Sequence, residues 1–572
     1  MDVEQRYEQW LKNIGDPELA EELHKMSSDE KTDAFYKDLE FGTGGLRGVI
    51  GAGTNRMNIY TVGRATQGLC DYLKGKKANA SAAIAYDSRI KSDLFARAAA
   101  AVFAANGITA YIFDELMPTP VLSFAVRSLN CDAGIVVTAS HNPAAYNGYK
   151  VYGSDGCQIT LEMASEVLGA IERVDIFNGV KSLEFDKGIQ NGLIKFIGSD
   201  LLNNFLDEVQ KCAVNPEILG EAGLRVVYTP LNGAGNKPVR AMLGRMGLVN
   251  LVVVPEQENP DGNFPTCKKP NPEERSAFEK ALELGAKVKA DLLLATDPDC
   301  DRVGIAVKDG QGEYKLLTGN ETGCLLLEYI LSQRKAKGTL PVVPVVIKTI
   351  VTTALAYKIA ERYGAQVIDT LTGFKFIGEQ IGALEKDGEA SRYVFGFEES
   401  YGYLPGSYVR DKDAVAGSLL ICEMASFYKK QGRSLIEVLG ELYDRYGCFR
   451  HKLVSFAFEG TDGMKDMERI ISVLRGDRAL RFAGLDTLKT DDYEVSVSTD
   501  LKTGEKSKLL LPKSDVLLLT LDKGCEIVVR PSGTEPKLKC YLTAKGRDIK
   551  AADETLAVIE NDIRAYIKNA AV

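Results

Sequence analysis

Short apolar runs alternate along most of this chain with longer stretches whose apolar positions recur three and four apart. Up to about Leu39 the pattern is that of polar, amphipathic helix broken at Ser27-Ser28-Asp29, and residues 1–40 read as an accessory helical arm. From Phe41 the rhythm changes. Strands are expected at Ala82 to Tyr86, Ala110 to Phe113 and Ala133 to Thr138, with a helix from about Ser92 to Asn106. A second series starts near Leu224: LRVVYTP, a helix from about Asn236 to Met246, LVVVP, a helix after Pro272, and DLLLATDPD. In a third, Val342 to Ile347, Gln366 to Thr370 and Tyr393 to Phe397 read as strands, with helices at Thr352 to Tyr363 and Phe374 to Leu384.

Strands alternating with helices in this way predict α/β architecture, and three such blocks suggest related domains, although no residue-level repeat is visible. From about Phe449 the order differs. HKLVSFAF, Tyr493 to Val497, Val516 to Leu521, Glu526 to Val529 and Leu538 to Thr543 read as strands, with helices near Asp462 to Leu474 and at the end. The expected fold is three similar mixed α/β domains (41–205, 206–316, 317–448) followed by an α+β domain (449–572), with boundaries good to about ten residues.

The 572 residues leave ample room for several cores, and 45% apolar with 26% charged residues is ordinary globular composition. A net charge of -9 argues against a polyanion such as nucleic acid, or an anionic membrane, as the main partner. Any phosphate must then be held by local cations. The first residues, MDVEQRYEQWLKN, lack the basic start and apolar run of a secretory signal, and no apolar run has membrane-spanning length. Eleven scattered cysteines without a CxxC pair fit reduced thiols in a cytoplasm, and three distant histidines argue against a histidine-rich metal centre. A metal here should be hard and oxygen-bound.

Five segments carry candidate chemistry. TASHNP (Thr138 to Pro143) ends an apolar strand, where open α/β sheets place reactive groups, with His141 beside Ser140 and Lys150 following in YNGYK. On local pattern alone it is also an ordinary Asn-Pro turn. DPDCDR follows DLLLAT. In an extended loop Asp297, Asp299 and Asp301 face one side, and three converging carboxylates call for a divalent cation. Arg302 and Lys308 stand where an EF-hand needs Gly and Glu, so that reading fails, and Arg302 can counter phosphate charge. GFEESYGY offers Glu398 and Ser400 to sugar hydroxyls. RPSGTEPK, between two strands, can cradle a phosphate through Arg530, Ser532, Gly533 and Thr534. FGTGGLRG carries Arg47 but lacks GxGxxG spacing, while TGFK and YVRDKDA add Lys375, Arg410 and Lys412.

Taken together and in this order, these segments resemble the α-D-phosphohexomutase family, particularly its phosphoglucomutase-type members, from about Phe41 to the C-terminus. The pairing of TASHNP with DPDCDR is the specific part. The resemblance implies four domains around a cleft, the last of TATA-binding-protein-like class. It implies a phosphoryl group on Ser140, one Mg²⁺ held by Ser140, Asp297, Asp299 and Asp301, and charge or proton work by Arg47, His141, Lys150 and Arg302. Lys150 is the foremost candidate for general base, a role that calls for a lowered pKa. Substrate contacts fall on Lys375, Glu398 and Ser400, and the distal phosphate on Arg530, Ser532, Gly533 and Thr534.

The implied activity is reversible interconversion of glucose 1-phosphate and glucose 6-phosphate through glucose 1,6-bisphosphate, in a cytoplasmic monomer or dimer. Cys300 stands where the family often has Gly, and Gly402 where hexomutases of relaxed mannose specificity have His. A phosphopentomutase and a phosphomannomutase stay open as alternatives, as do a metal-assisted phosphomonoesterase and a noncatalytic sugar-phosphate binder.

Overall fold

The computed structural model describes residues 2–42, 45–458, 463–477, 480–531 and 537–570. Four sheets, each drawn from one continuous stretch of chain, carry the fold. The first has seven strands, with Ala133–Val137, Ser81–Tyr86 and Thr109–Phe113 parallel at its centre and Tyr146–Gly153 antiparallel beside Ala133–Val137. The second repeats that order with Val303–Lys308, Leu292–Thr296, Val226–Thr229 and Leu251–Val253. The third repeats it again with Tyr403–Leu404, Tyr393–Phe397, Val345–Thr349 and Gln366–Thr370.

The repeat that no residue pattern disclosed is therefore topological. In each of these three sheets the strand beside the antiparallel one is buried along its whole length (Ala133–Val137, Leu292–Thr296, Tyr393–Phe397), as expected where helices cover both faces. Each then turns back through a short loop into its antiparallel neighbour. Those three loops are TASHNP, DPDCDR and GFEESYGY.

The fourth sheet is antiparallel throughout, in the order Cys448–Ala457, Lys537–Gly546, Glu526–Pro531, Leu517–Leu521, Leu485–Asp492, Val497–Asp500, Lys506–Lys508. Its strands alternate faces. Leu517, Leu519 and Leu521 pack under helices Gly463–Gly476 and Ile549–Ala570, whereas Val516, Leu518 and Val528 meet Ile350, Val351 and Leu371 of the third unit. Tyr493 to Val497, expected as a strand, is mostly the turn between Leu485–Asp492 and Val497–Asp500, with Ser496 left-handed (φ 56°). Polar residues in Leu485–Asp492 hid the real strand.

Two other expectations shift. The helix read from Thr352 begins at Leu355, and the strand read from Val342 begins at Val345, after Pro344. The first 36 residues form helices Val3–Asn13, Pro17–Lys25 and Ser28–Phe35. Rather than a free arm they are a packed layer, burying Trp10 and Phe35 against Ile59, Tyr60, Ile176 and Phe177 of the first unit. Helix Ala414–Lys430 is buried on nearly every side and belongs to the core that joins the first three units. Among the described residues no helix is long and apolar enough to cross a membrane, and all eleven cysteines are buried and free.

Candidate active site

The loop bearing Ser140 is held open by an ion pair behind it. Asp87 and Arg89, just past strand Ser81–Tyr86, are fully buried as side chains. Arg89 donates to the carbonyls of Ser140 (2.6 and 3.2 Å), Pro143 (3.0 Å), Tyr146 (3.0 Å) and Asn142. Asp87 accepts from the hydroxyls of Thr138 (2.6 Å) and Ser92 (2.8 Å). This shell keeps Ser140 in a left-handed backbone conformation (φ 52°), which costs about 1 kcal/mol or more for a non-glycine residue.

Across the cleft, Ser140 Oγ donates to Asp297 Oδ2 at 2.9 Å, and His141 Nδ1 lies 3.2 Å from the same Oγ. Burial, then the charges of Arg302 and Arg47, push His141 well below its usual range, so the imidazole is neutral. Arg47 itself is exposed on strand Gly45–Val49, which pairs with the strand of Lys150.

The acidic loop supplies three buried carboxylates whose oxygens lie within 4.8 Å of one another. Asp297 Oδ1 accepts the backbone N–H groups of Asp301 (3.1 Å) and Arg302 (3.0 Å), closing the turn. Asp299 Oδ2 accepts from Lys150 (2.8 Å) and Thr119 (2.9 Å), and Asp301 Oδ2 sits 3.1 Å from Lys412 Nζ. The remaining oxygens, Asp299 Oδ1 and Asp301 Oδ1, are buried without a hydrogen-bond partner. Unpaired buried acceptors are costly, and an all-oxygen donor set of this kind fits a hard divalent cation. Cys300, left-handed at φ 52°, turns its side chain into the apolar core, so it leaves the carboxylates unhindered.

Charges here are mutually shifted. Burial, then Asp299 and Asp301, drive Asp297 well above the usual carboxylate range. Burial pushes Asp299 the same way, but the Lys150 ammonium outweighs it and the net shift is downward. Lys150 does not show the lowered pKa expected of it. Burial acts downward, yet Asp299 and Asp301 more than reverse it. Arg302 is part-buried and donates to Glu273 Oε1 at 2.7 Å, a partner the motifs did not disclose.

The third loop enters from strand Tyr393–Phe397. Glu398 is buried, with Oε1 accepting from the Gly373 N–H at 3.0 Å, while Ser400 is half-buried near the left-handed Tyr401 (φ 65°). Each of the three loops thus carries one non-glycine residue with positive φ. Lys375 follows Gly373 and is buried, its ammonium lowered by burial and then by the nearby Arg530. Arg530 is the penultimate residue of strand Glu526–Pro531, opposite Lys539, and Ser532, Gly533 and Thr534 lie outside the described residues. Arg410 is wholly buried against Glu385 and lies in the wall, whereas Lys412 bridges Asp301 and Asp411 inside the cleft.

Sequence reasoning missed Asp87, Arg89, Thr119, Glu273 and Lys539. YDSR at the end of a buried strand was the available signal for the first two. Thr119 and Glu273 are distant in sequence from the motifs they serve, whereas Lys539 lies just past RPSGTEPK, in the strand that bounds it.

A serine oxygen facing three carboxylates, ringed by Lys150, Lys412 and Arg302, is equipment for moving phosphoryl groups, and the class is an intramolecular phosphotransferase. Models of the phosphoglucomutase/phosphomannomutase α/β/α domains I, II and III match residues 38–176, 203–311 and 318–446. A phosphoglucomutase of Staphylococcus saprophyticus is 35% identical over 540 residues, covering 94% of this chain and 96% of the relative. One of Staphylococcus aureus (strain MRSA252) is 37% identical over 545 residues, covering 95% and 96%. Among solved structures, the phosphoglucomutase pp63/parafusin of Paramecium, in an open form, shares the fold with a TM-score of 0.69 at 16% identity, covering 94% of this chain and 95% of that one. A phosphoglucomutase/phosphomannomutase family protein of Burkholderia thailandensis does so with a TM-score of 0.65 at 18% identity, covering 93% and 97%. The chain belongs to the phosphoglucomutase/phosphomannomutase family, the α-D-phosphohexomutases, and is of phosphoglucomutase type.

Proposed function

We propose that the chain interconverts glucose 1-phosphate and glucose 6-phosphate by way of a phosphoryl group carried on Ser140. The observation that carries this reading is the 2.9 Å contact between Ser140 Oγ and Asp297 across two separate units of the fold. The free hydroxyl of the bound sugar phosphate attacks phosphorus, the bond to Ser140 Oγ breaks, and glucose 1,6-bisphosphate results. That intermediate turns end for end, its other phosphoryl group returns to Ser140, and the product leaves. One Mg²⁺ per chain, held by Ser140, Asp297, Asp299 and Asp301, supplies Lewis-acid neutralisation of the transferring charge when bound.

The chain's own side chains do the rest. His141, whose Nδ1 lies 3.2 Å from Ser140 Oγ, handles the hydroxyl proton, while Lys150, held as an ammonium by Asp299 and Asp301, and Arg47 offset charge at the phosphoryl group. Arg302, Lys375, Glu398 and Ser400 orient the sugar phosphate, and Arg530, Ser532, Gly533 and Thr534 grip whichever phosphate is distant. In this reading the domains at 41–205, 206–316, 317–448 and 449–572 each contribute one loop, with 1–40 covering the first.

A Cβ at residue 402 would lie 2.2 Å from Lys412 Cδ, and Lys412 is tied to Asp301 and Asp411. That crowding leaves no place for a histidine there and supports glucose over mannose. Free thiols support a cytoplasmic protein, which we take as monomer or dimer.

The test is turnover of glucose 1-phosphate, in comparison with ribose 1-phosphate, by wild type and Ser140→Ala. Wild type should prefer the hexose and the variant should be inactive while keeping its fold. Near-normal turnover by Ser140→Ala would rule the reading out.

A further inference from the structure

The acidic loop is clamped from two sides. On its own side, Ala234 N donates to Pro298 O at 2.8 Å, and Gly233 packs so closely that a Cβ there would lie 2.4 Å from Pro298 Cα. From the first unit comes Thr119, at the start of helix Thr119–Ser128 and wholly buried. Its backbone N–H donates to the Asp299 carbonyl at 2.9 Å, and its hydroxyl donates to Asp299 Oδ2, also at 2.9 Å.

The local sequence explains why both donors are available. The first N–H groups of a helix have no partner within it. Pro118 and Pro120 flank Thr119, and Pro120 has no N–H of its own, so the chain direction is stiff where the donors are presented. The consequence falls on Asp299. With Oδ2 occupied by Thr119 and by Lys150, the oxygen left without a hydrogen bond is Oδ1, and the same holds for Oδ1 of Asp301, which has only Arg302 Nε at 3.8 Å.

We infer that Thr119 is a positioning residue for the cation site: its hydroxyl fixes which Asp299 oxygen faces the ion, and its N–H sets the height of the acidic loop against the serine loop. The inference rests on the proposed metal-assisted reading and deepens it. Groups that orient metal ligands in this way typically contribute about 10–100-fold to affinity or activity when removed. Lys150 shares the same carboxylate oxygen, but an ammonium on a long stem is a mobile point charge, whereas a hydroxyl on a β-branched side chain at a proline-flanked position is not.

The test uses the full chain stripped of metal and titrated with Mg²⁺ or Mn²⁺, reading the metal-dependent rise in melting temperature, beside sugar-phosphate kinetics. Thr119→Val removes the hydroxyl at constant shape. It should shift the midpoint of the metal titration up by about tenfold or more and lower kcat with KM for the sugar phosphate little changed. Thr119→Ser should restore both. If Thr119→Val yields no folded protein, Thr119→Ala is read the same way. A Thr119→Val midpoint within about twofold of wild type, with any loss confined to the metal-free melting temperature, overturns the inference and leaves the metal-assisted reading standing. A wild type with no metal-dependent shift overturns both, and that outcome is distinguishable from the first.

Discussion

Arg89 shows how much of the site depends on a side chain that touches no substrate. Its guanidinium is spent on four carbonyls of the serine loop and on Asp87, and it lies 5.0 Å from the ring centroid of Phe264 in the second unit. Five donors in a rigid fork match that concave set of acceptors, and lysine cannot reproduce it. Removing one member of a buried pair typically costs about 3–5 kcal/mol, because the other charge is stranded. Arg89→Met should therefore lower stability by about 3 kcal/mol and turnover by about a hundredfold, the scale of an ångström-sized misplacement. Chemical denaturation and steady-state kinetics check both, and a variant with wild-type turnover would show that the loop holds its shape without Arg89.

At this scale the sequence was informative where residues adjacent in the chain act together. Asp297, Asp299 and Asp301 converge because alternate positions of one short loop must, and Ser140 and His141 lie on one turn. It was silent about partners brought in from elsewhere, such as Thr119 on Asp299 or Glu273 on Arg302, since nothing in either segment marks the other. The expected lowering of Lys150 failed for the same reason. The motif located the lysine, but the two aspartates that reverse its shift come from another unit.

Among the elements, helix Ala414–Lys430 ties the third loop to the acidic one. Asp413 caps it, accepting from the N–H groups of Val415 (2.7 Å) and Ala416 (3.1 Å), while Ala414 N donates to the Cys300 carbonyl at 3.3 Å. Burial pushes the Asp413 carboxyl up from 3.8 to about 6, against the downward pull of Tyr408 and those backbone donors. The sign follows from proton uptake. Between about pH 4 and 6 the folded state holds a proton that the unfolded chain has released, so stability falls as pH rises through that window and levels off above it. Asparagine caps a helix equally well but does not ionise. Asp413→Asn should therefore gain on wild type between pH 4 and pH 7, by up to about 3 kcal/mol. Denaturation at the two pH values measures it, and a difference independent of pH would contradict the assignment.

The elements themselves were largely legible from periodicity, because fully buried strands such as Leu292–Thr296 are unbroken apolar runs. Leu485–Asp492 escaped because it reads LDTLKTDD, mostly polar, and the adjacent Tyr-Glu-Val-Ser-Val stretch mimicked a strand. The packed N-terminal layer escaped because amphipathic helices reveal an apolar face without naming what covers it.

In the whole molecule, one strand order used three times places three loops at equivalent sheet ends, and a shared core holds those ends toward each other. The fourth unit has its own core and meets the third through Ile350, Val351 and Leu371, bringing Arg530 and Lys539 near Lys375 and Glu399. On the proposed function this arrangement is what is needed, since a single serine would have to serve both ends of a substrate that turns over in the cleft. The most direct test is the intact mass of the purified chain before and after incubation with glucose 1,6-bisphosphate, with the modified peptide mapped. The wild-type chain should gain one phosphoryl group on Ser140, absent in Ser140→Ala and discharged by excess glucose 1-phosphate in the presence of Mg²⁺. A wild-type chain that turns over glucose 1-phosphate yet never carries phosphate on Ser140 would contradict it.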